Sequence, residues 1–184
     1  MPINATEPFA SVEDMEKRSQ GEISAATHPY LASELLAATN DIRSFCRWHI
    51  SPVLEKDYVR FGGFADDVWL PAMEITGITE VVIDGEAWTP EQIEDEVEFD
   101  PATGWTNLYG RAVRVKYTAG FAEVPQSVKS ATLELAAAAL GTALGQTREQ
   151  AGAVSIQFEG AGGGIDPEST RGRRLIEYRI GRLP

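Results

Sequence analysis

The chain has 184 residues and a formal net charge of −12, with 28 Asp and Glu against 16 Lys and Arg. That balance argues against general binding to phosphate backbones, which takes clustered Lys and Arg. One cysteine, Cys46, excludes an internal disulfide and a cysteine-based zinc site.

An apolar fraction of 43% is adequate for a core and suits one domain, or a domain carrying a small insertion. No apolar run approaches the length of a membrane span, and the N-terminus lacks the basic-then-apolar pattern of a signal peptide, so a protein made and kept in a cytoplasm is expected. Residues 1–10 show no periodic pattern and read as flexible. From Ser11 to Ile23, the Ser11–Asp14 spacing is close to a capping box and predicts a short helix, weakened near its end by Gly21. Residues 1–26 are therefore read as a flexible N-terminus with a short helix, ahead of a domain spanning 27–184. Thr27 as a cap and Pro29 in the first turn predict a helix over 27–51. Its apolar positions Leu31, Leu35, Ala38, Ile42 and Phe45 recur at helical spacing, with Glu34, Asp41, Arg43 and Arg47 largely on other faces and Pro52 as the stop. Cys46 falls in this stripe and reads as a small core residue.

Between residues 53 and 117 the pattern changes to strands: Tyr58–Phe61, Val68–Leu70, Thr79–Ile83, Glu96–Phe99 and Arg111–Tyr117. Asp84-Gly85 suits a two-residue hairpin turn and Asp100–Gly104 a longer one. Short strands at this spacing predict a small antiparallel sheet or barrel inserted between helical halves, its faces covered by Trp69, Trp88, Trp105 and Tyr109. Charge is uneven here: Glu80 to Asp100 holds nine acidic residues and no basic one.

The stretch from Arg111 to Leu144 joins a strand to a long, almost uncharged helix. Val113, Val115 and Tyr117 put apolar side chains on one face, and Arg114 and Lys116 point the other way. Gly120 permits a turn that a β-carbon would disfavour, and Pro125 pre-sets the first helical turn. The helix is expected over 125–144; it carries no charge from Leu135 onward, so its apolar surface requires cover, and a neighbouring subunit is a natural source. Leu133, Leu135, Ala138 and Leu140 are the expected subunit-packing residues. After it, 145–153 reads as loop, Val154–Phe158 as a short strand and Gly160–Gly164 as a flexible hinge. A last helix from Asp166 or Pro167 has a modest apolar edge of Leu175, Ile176 and Ile180, so 154–184 reads as a strand and a mobile helical arm. The fold class predicted is α+β, mainly α: a small helical bundle with an inserted antiparallel β element and a mobile C-terminal helix.

The search for chemistry yields no catalytic, cofactor-binding or metal-binding residues. Cys46 and His49 share one helical face, but no second pair of soft ligands accompanies them; a charge near a helix C-terminus is the simpler reading of His49. The glycine run lacks the Lys-Ser/Thr of a phosphate loop, and there is no nucleophile elbow. Glu94-Asp95-Glu96 reads as a solvated acidic loop. Arg171, Arg173, Arg174, Arg179 and Arg182 are the expected docking residues. They suit carboxylates on a protein partner, or alternatively DNA phosphates or acids of the same or an adjacent subunit.

The run from Val113 to Leu140, VRVKYTAGFAEVPQSVKSATLELAAAAL, resembles the strand-corner-helix of head–tail connector proteins of tailed bacteriophages, also known as head-completion, adaptor or neck proteins. The residues that carry it are Tyr117, Gly120, Phe121, Val124 and Pro125 and the Ala/Leu-rich helix from Gln126; the order of elements extends it loosely over Thr27 to Pro184. The resemblance implies a structural virion protein rather than an enzyme. Its subunits would form a ring, commonly twelve-fold, beneath the portal protein, meet the next neck or tail-completion protein, and continue the DNA channel without reading sequence. It would reside in the virion neck after assembly from the host cytoplasm, with no cofactor and no membrane. The alternatives are another phage structural role such as tail completion, or a small-ligand-binding or hydrolytic module using the β insertion.

Overall fold

A computed structural model describes residues 7–62, 66–141, 148–151, 154–157 and 165–181. In chain order the elements are α1 (Val12–Arg18), α2 (Leu31–Cys46), β1 (Leu54–Arg60), β2 (Asp66–Trp69), β3 (Ile75–Ile83), β4 (Glu86–Ala87), α3 (Pro90–Glu96), β5 (Trp105–Gly110), β6 (Val113–Ala119), α4 (Gln126–Gly141), β7 (Arg148–Ala151), β8 (Val154–Gln157) and α5 (Thr170–Leu175), followed by a 3-10 turn, Ile176–Tyr178. The fold is α+β, with a larger strand share than the mainly helical expectation. The chain divides into two compact units: one contains Arg47–Glu123 and the stretch from Tyr178, the other Thr6–Cys46 and Val124–Glu177.

The first unit is built on an antiparallel sheet with strand order β1-β6-β3-β4. β6 lies inside it, paired with β1 from Ala119 to Val113 and with β3 on its other side. Its alternation is as the sequence predicts: Val113, Val115, Tyr117 and Ala119 are buried, while Arg114 is exposed and Lys116 pairs with Glu80 at 3.4 Å. The hairpin at Asp84-Gly85 has positive φ at both residues (52° and 92°), the geometry of a primed turn. The Asp84 carboxylate accepts the amides of Arg111 and Ala112, which ties the hairpin to the β5–β6 connection.

Two elements here differ from expectation. Residues 96–99 do not form a strand; Pro90–Glu96 is helical, and Phe99 makes a lone bridge to Thr106. Thr89 caps this helix in a reciprocal box with Gln92, and Pro90 opens it, a start signal that the acidic, aperiodic run behind it obscured. Trp105–Gly110, which carries Trp105 and Tyr109, is itself a strand paired with β2. Its buried positions are Thr106, Leu108 and Gly110, and the Thr106 hydroxyl donates to the Val68 carbonyl at 2.8 Å.

The second unit packs α2 against α4. Its core gathers Ala10, Met15, Leu31, Leu35, Ala38, Leu133 and Ala136, with Val12, Leu135 and Leu140 at the margin. Alanines at 38 and 136 allow the helices to approach closely, and each fully buried leucine contributes about 2 kcal/mol. α1 carries the capping box expected of Ser11 and Asp14 but ends at Arg18. α2 begins at Leu31, not Thr27, because Thr27 is drawn into a turn in which it and Ser24 bond each other's amides. It stops at Cys46, before Pro52, where Arg47 takes a left-handed φ of 69°. Residues 7–10, expected to be flexible, are tied down: Phe9 and Ala10 are buried, and the Phe9 amide donates to Thr39 Oγ1 at 2.9 Å. Arg43, expected on an outer face, is buried; its guanidinium lies 4.6 Å over the Phe9 ring and donates to the Glu7 carbonyl.

α4 is described from Gln126 to Gly141; the expected extension to 144 lies outside the described residues. Pro125 immediately precedes it, its carbonyl accepting the Lys129 amide at 2.9 Å. Arg148–Ala151, expected as loop, pairs with Val154–Gln157 as a two-stranded sheet. Phe158 and the glycines from Gly160 to Gly164 are outside the described residues. α5 begins at Thr170 with Ser169 as its cap, later than Asp166 or Pro167. Asp166 instead holds a turn, its carbonyl accepting the Ser169 amide and its carboxylate the Glu168 amide. Among the described residues, no helix is long and apolar enough to cross a membrane.

Candidate functional site

The corner after β6 is fixed within the first unit by close packing. Gly120 has φ +123°, and a β-carbon there would lie 2.5 Å from the Pro52 carbonyl oxygen and 2.7 Å from His49 Nε2. Only glycine fits both the dihedral and the space. The following amide, Phe121 N–H, donates to the Ile50 carbonyl at 2.8 Å, and the Phe121 ring joins a chain of aromatics. Trp48 meets His49 edge-on at 5.4 Å and Phe121 at 6.1 Å, and Phe121 meets Tyr178 edge-on at 5.8 Å. The Trp48 indole N–H donates to the Tyr178 carbonyl at 2.6 Å. His49 Nε2 lies 2.9 Å from the Ala119 carbonyl, so that nitrogen carries the proton and donates. The imidazole is thus a structural clasp on the end of β6. Because α2 ends at Cys46 and the backbone then turns left-handed, Cys46 and His49 do not share a helical face. Buried Cys46 lies with its sulfur 3.8 Å from the Leu175 carbonyl in the second unit's interior.

In the second unit, Glu134 is a hub for arginines. Its Oε1 receives Arg18 Nη2 at 3.3 Å and Arg174 Nη1 at 3.2 Å, and Arg171 Nε lies 3.9 Å from Oε2. Partly exposed pairs of this kind contribute less than about 1 kcal/mol each, but three on one carboxylate fix α1 and α5 to α4. Beside it, Lys129 and Asp14 pair at 2.8 Å, and this hydrogen bond, with the Ser11 amide, lowers the Asp14 pKa to about 2. Glu134 and Lys129 are isolated charges in an otherwise uncharged helix, the one sequence signal that could have marked them.

The expected docking arginines thus fall into separate environments. Arg171 and Arg174 reach Glu134. Arg173 is paired only loosely with Glu168, at 3.4 Å, with 71% of its side chain in solvent. Arg179 is half-buried, and Arg182 is outside the described residues. Of the expected packing residues, Leu133 is buried in its own unit's core, Leu135 and Leu140 are half-buried against it, and Ala138 is exposed.

The acidic segment is helical. Glu91, Glu94, Asp95 and Glu96 are exposed on α3. Between α3 and β3 runs a groove of about 460 Å³ whose walls include Ile78, Pro90, Ile93, Val97 and Phe99, with Glu94 among its lining residues. Trp69, Trp88 and Trp105 are half-buried and Tyr109 is exposed. Among the described residues, no group of three or more His, Cys, Asp or Glu side chains converges as a metal site requires.

The chain matches no protein-family model and no curated protein. Among solved structures it is similar to a chain from the "Neck of native GTA particle computed with C12 symmetry", with 17% identity and a TM-score of 0.51, over 92% of this chain and 90% of that one. At that identity the likeness is one of fold alone.

Proposed function

We propose that this chain is a structural neck protein: a head–tail connector subunit that assembles as a ring beneath the portal and continues the DNA channel toward the tail. The observation that carries this reading is the fold likeness, across 92% of the chain, to a chain of a C12-symmetric neck of a phage-like particle. The residues of the Tyr117–Pro125 corner resemble the same class independently. The work of such a subunit is mechanical and interfacial, not catalytic. A rigid corner holds its strand end, and a small-residue helix packs the helical unit and offers Ala138 outward. Ring symmetry demands head-to-tail interfaces. Acidic surface turned toward the channel repels DNA and lets it slide without sticking. The Arg171–Arg182 segment meets a protein partner, and the ring as a whole sits between the portal and the next neck or tail-completion protein in the virion.

The test is assembly. The purified chain is mixed with the portal protein of the same particle and examined by sedimentation velocity and electron microscopy. A ring stacked on the portal is the expected outcome. A chain that stays monomeric with and without portal, at all concentrations, refutes the reading.

A further inference from the structure

Among the described residues, the outer edge of β3 is paired with another strand only at its end, where β4 bonds Val82 and Ile83 and the Trp88 amide donates to the Val81 carbonyl; at its start the Ile75 amide donates to the Pro101 carbonyl. The stretch before it, including Gly77 and Ile78, instead faces α3 across the groove already described. The walls are mostly apolar (Ile78, Pro90, Ile93, Val97, Phe99), with Thr76 and Thr79 among them; Glu94 is the one acidic residue of the lining, on a helix that has no lysine or arginine. A largely apolar slot with a carboxylate in its lining is complementary to an apolar side chain flanked by a cation.

The same chain carries that complement. Ile176, the first residue of the 3-10 turn after α5, is 53% exposed, one of few large apolar side chains left so open among the described residues. Arg173 lies three residues before it, on the same side of the turn, with 71% of its side chain in solvent, and Arg174 is 48% exposed. We propose that Ile176 of one copy enters the β3–α3 groove of a second copy, with Arg173 meeting Glu94. Knob and groove belong to different elements, so in a head-to-tail arrangement each copy offers a groove to one neighbour and a knob to the other. Such a contact closes into a ring when its rotation divides the circle. The inference rests on the ring reading above and supplies one of its interfaces.

Charge reversal tests it. Glu94→Arg and Arg173→Glu are each expected to weaken self-association roughly tenfold or more, because a like pair replaces an unlike one. Mixing the two variants should restore it. Each groove carrying the introduced arginine then meets an arm carrying the introduced glutamate, and each groove that keeps Glu94 meets an arm that keeps Arg173. Ile176→Asp should weaken assembly and not be rescued by either variant. Sedimentation velocity reads association, and circular dichroism checks that both exposed substitutions leave the fold intact. Restoration by mixing cannot arise from misfolding. Single variants that assemble like the wild type, or a mixture that fails to recover, overturn the interface and leave the ring standing. A wild type that forms no oligomer, alone or with portal, overturns both.

Discussion

Replacing Gly120 with alanine probes the corner that the sequence and the packing both single out. The native φ of +123° is one that L side chains rarely adopt, and holding a residue there costs about 1–3 kcal/mol. The new methyl would also stand 2.5 Å from the Pro52 carbonyl oxygen and 2.7 Å from His49 Nε2, well inside ordinary contact of 3.4–4 Å. Relieving that overlap shifts the imidazole off the Ala119 carbonyl or displaces backbone, at about 1–3 kcal/mol more. The expected loss is therefore about 2–6 kcal/mol, a large part of a typical domain's stability, and about 4–24 °C in melting temperature. Urea and thermal unfolding followed by circular dichroism measure it. Gly141→Ala is the control: nothing among the described residues lies within 4 Å of its would-be β-carbon, so its effect should be within about 1 kcal/mol and of stabilising sign. A Gly120→Ala protein within about 0.5 kcal/mol of wild type would refute the packing argument for the corner.

Asp14, held near pKa 2 against an ordinary 3.8 chiefly by the Lys129 hydrogen bond, adds stability that is complete above about pH 4 and lost as pH falls through 2. At this partly exposed site the contribution is about 1 kcal/mol after solvent screening, so urea midpoints of Asp14→Asn should fall correspondingly less between pH 4 and pH 2 than those of wild type. Glu134→Gln removes the shared counter-charge of Arg18, Arg171 and Arg174 and should cost about 1 kcal/mol at low salt; thermal melts should show that difference shrinking at high ionic strength. Ala138→Trp, on an exposed position, should leave monomer stability within about 0.5 kcal/mol while impairing ring assembly in sedimentation. Ring formation unchanged by tryptophan would remove Ala138 from any subunit interface.

What could be read from the sequence follows the strength of local signals. The alternation of Val113, Val115 and Tyr117, the Asp84-Gly85 turn, and the Leu31–Leu35–Ala38–Ile42 stripe each have one physical solution, and the fold adopts it. Thr27 misled because a hydroxyl before an apolar run serves equally well in a turn, and Ser24 supplied the partner. α3 was hidden because its acids leave no apolar period, although Thr89, Pro90 and Gln92 spell a helix start. Arg43 was misplaced because its burial depends on Phe9 and Glu7, more than thirty residues away. The candidate site was legible only in part. Gly120 was recognised, but the Trp48–Phe121–Tyr178 aromatics and the Glu134 hub join residues distant in sequence, and no spacing rule connects them. For the docking set, the sequence gathered five arginines, and the fold separates them by the company they keep: two bound to α4 and one, Arg173, mostly in water.

The division into two units has a consequence for the order of events at the ribosome. The β unit lies almost entirely in one continuous stretch, Arg47–Glu123, so its sheet can close before α4 has been synthesised. The helical unit cannot: Leu31, Leu35 and Ala38 emerge first and must wait for Leu133 and Ala136, some hundred residues later. During that interval the apolar stripe of α2 has no native cover, which makes the nascent chain carrying α2, rather than the finished subunit, the species most exposed to chaperones and to aggregation.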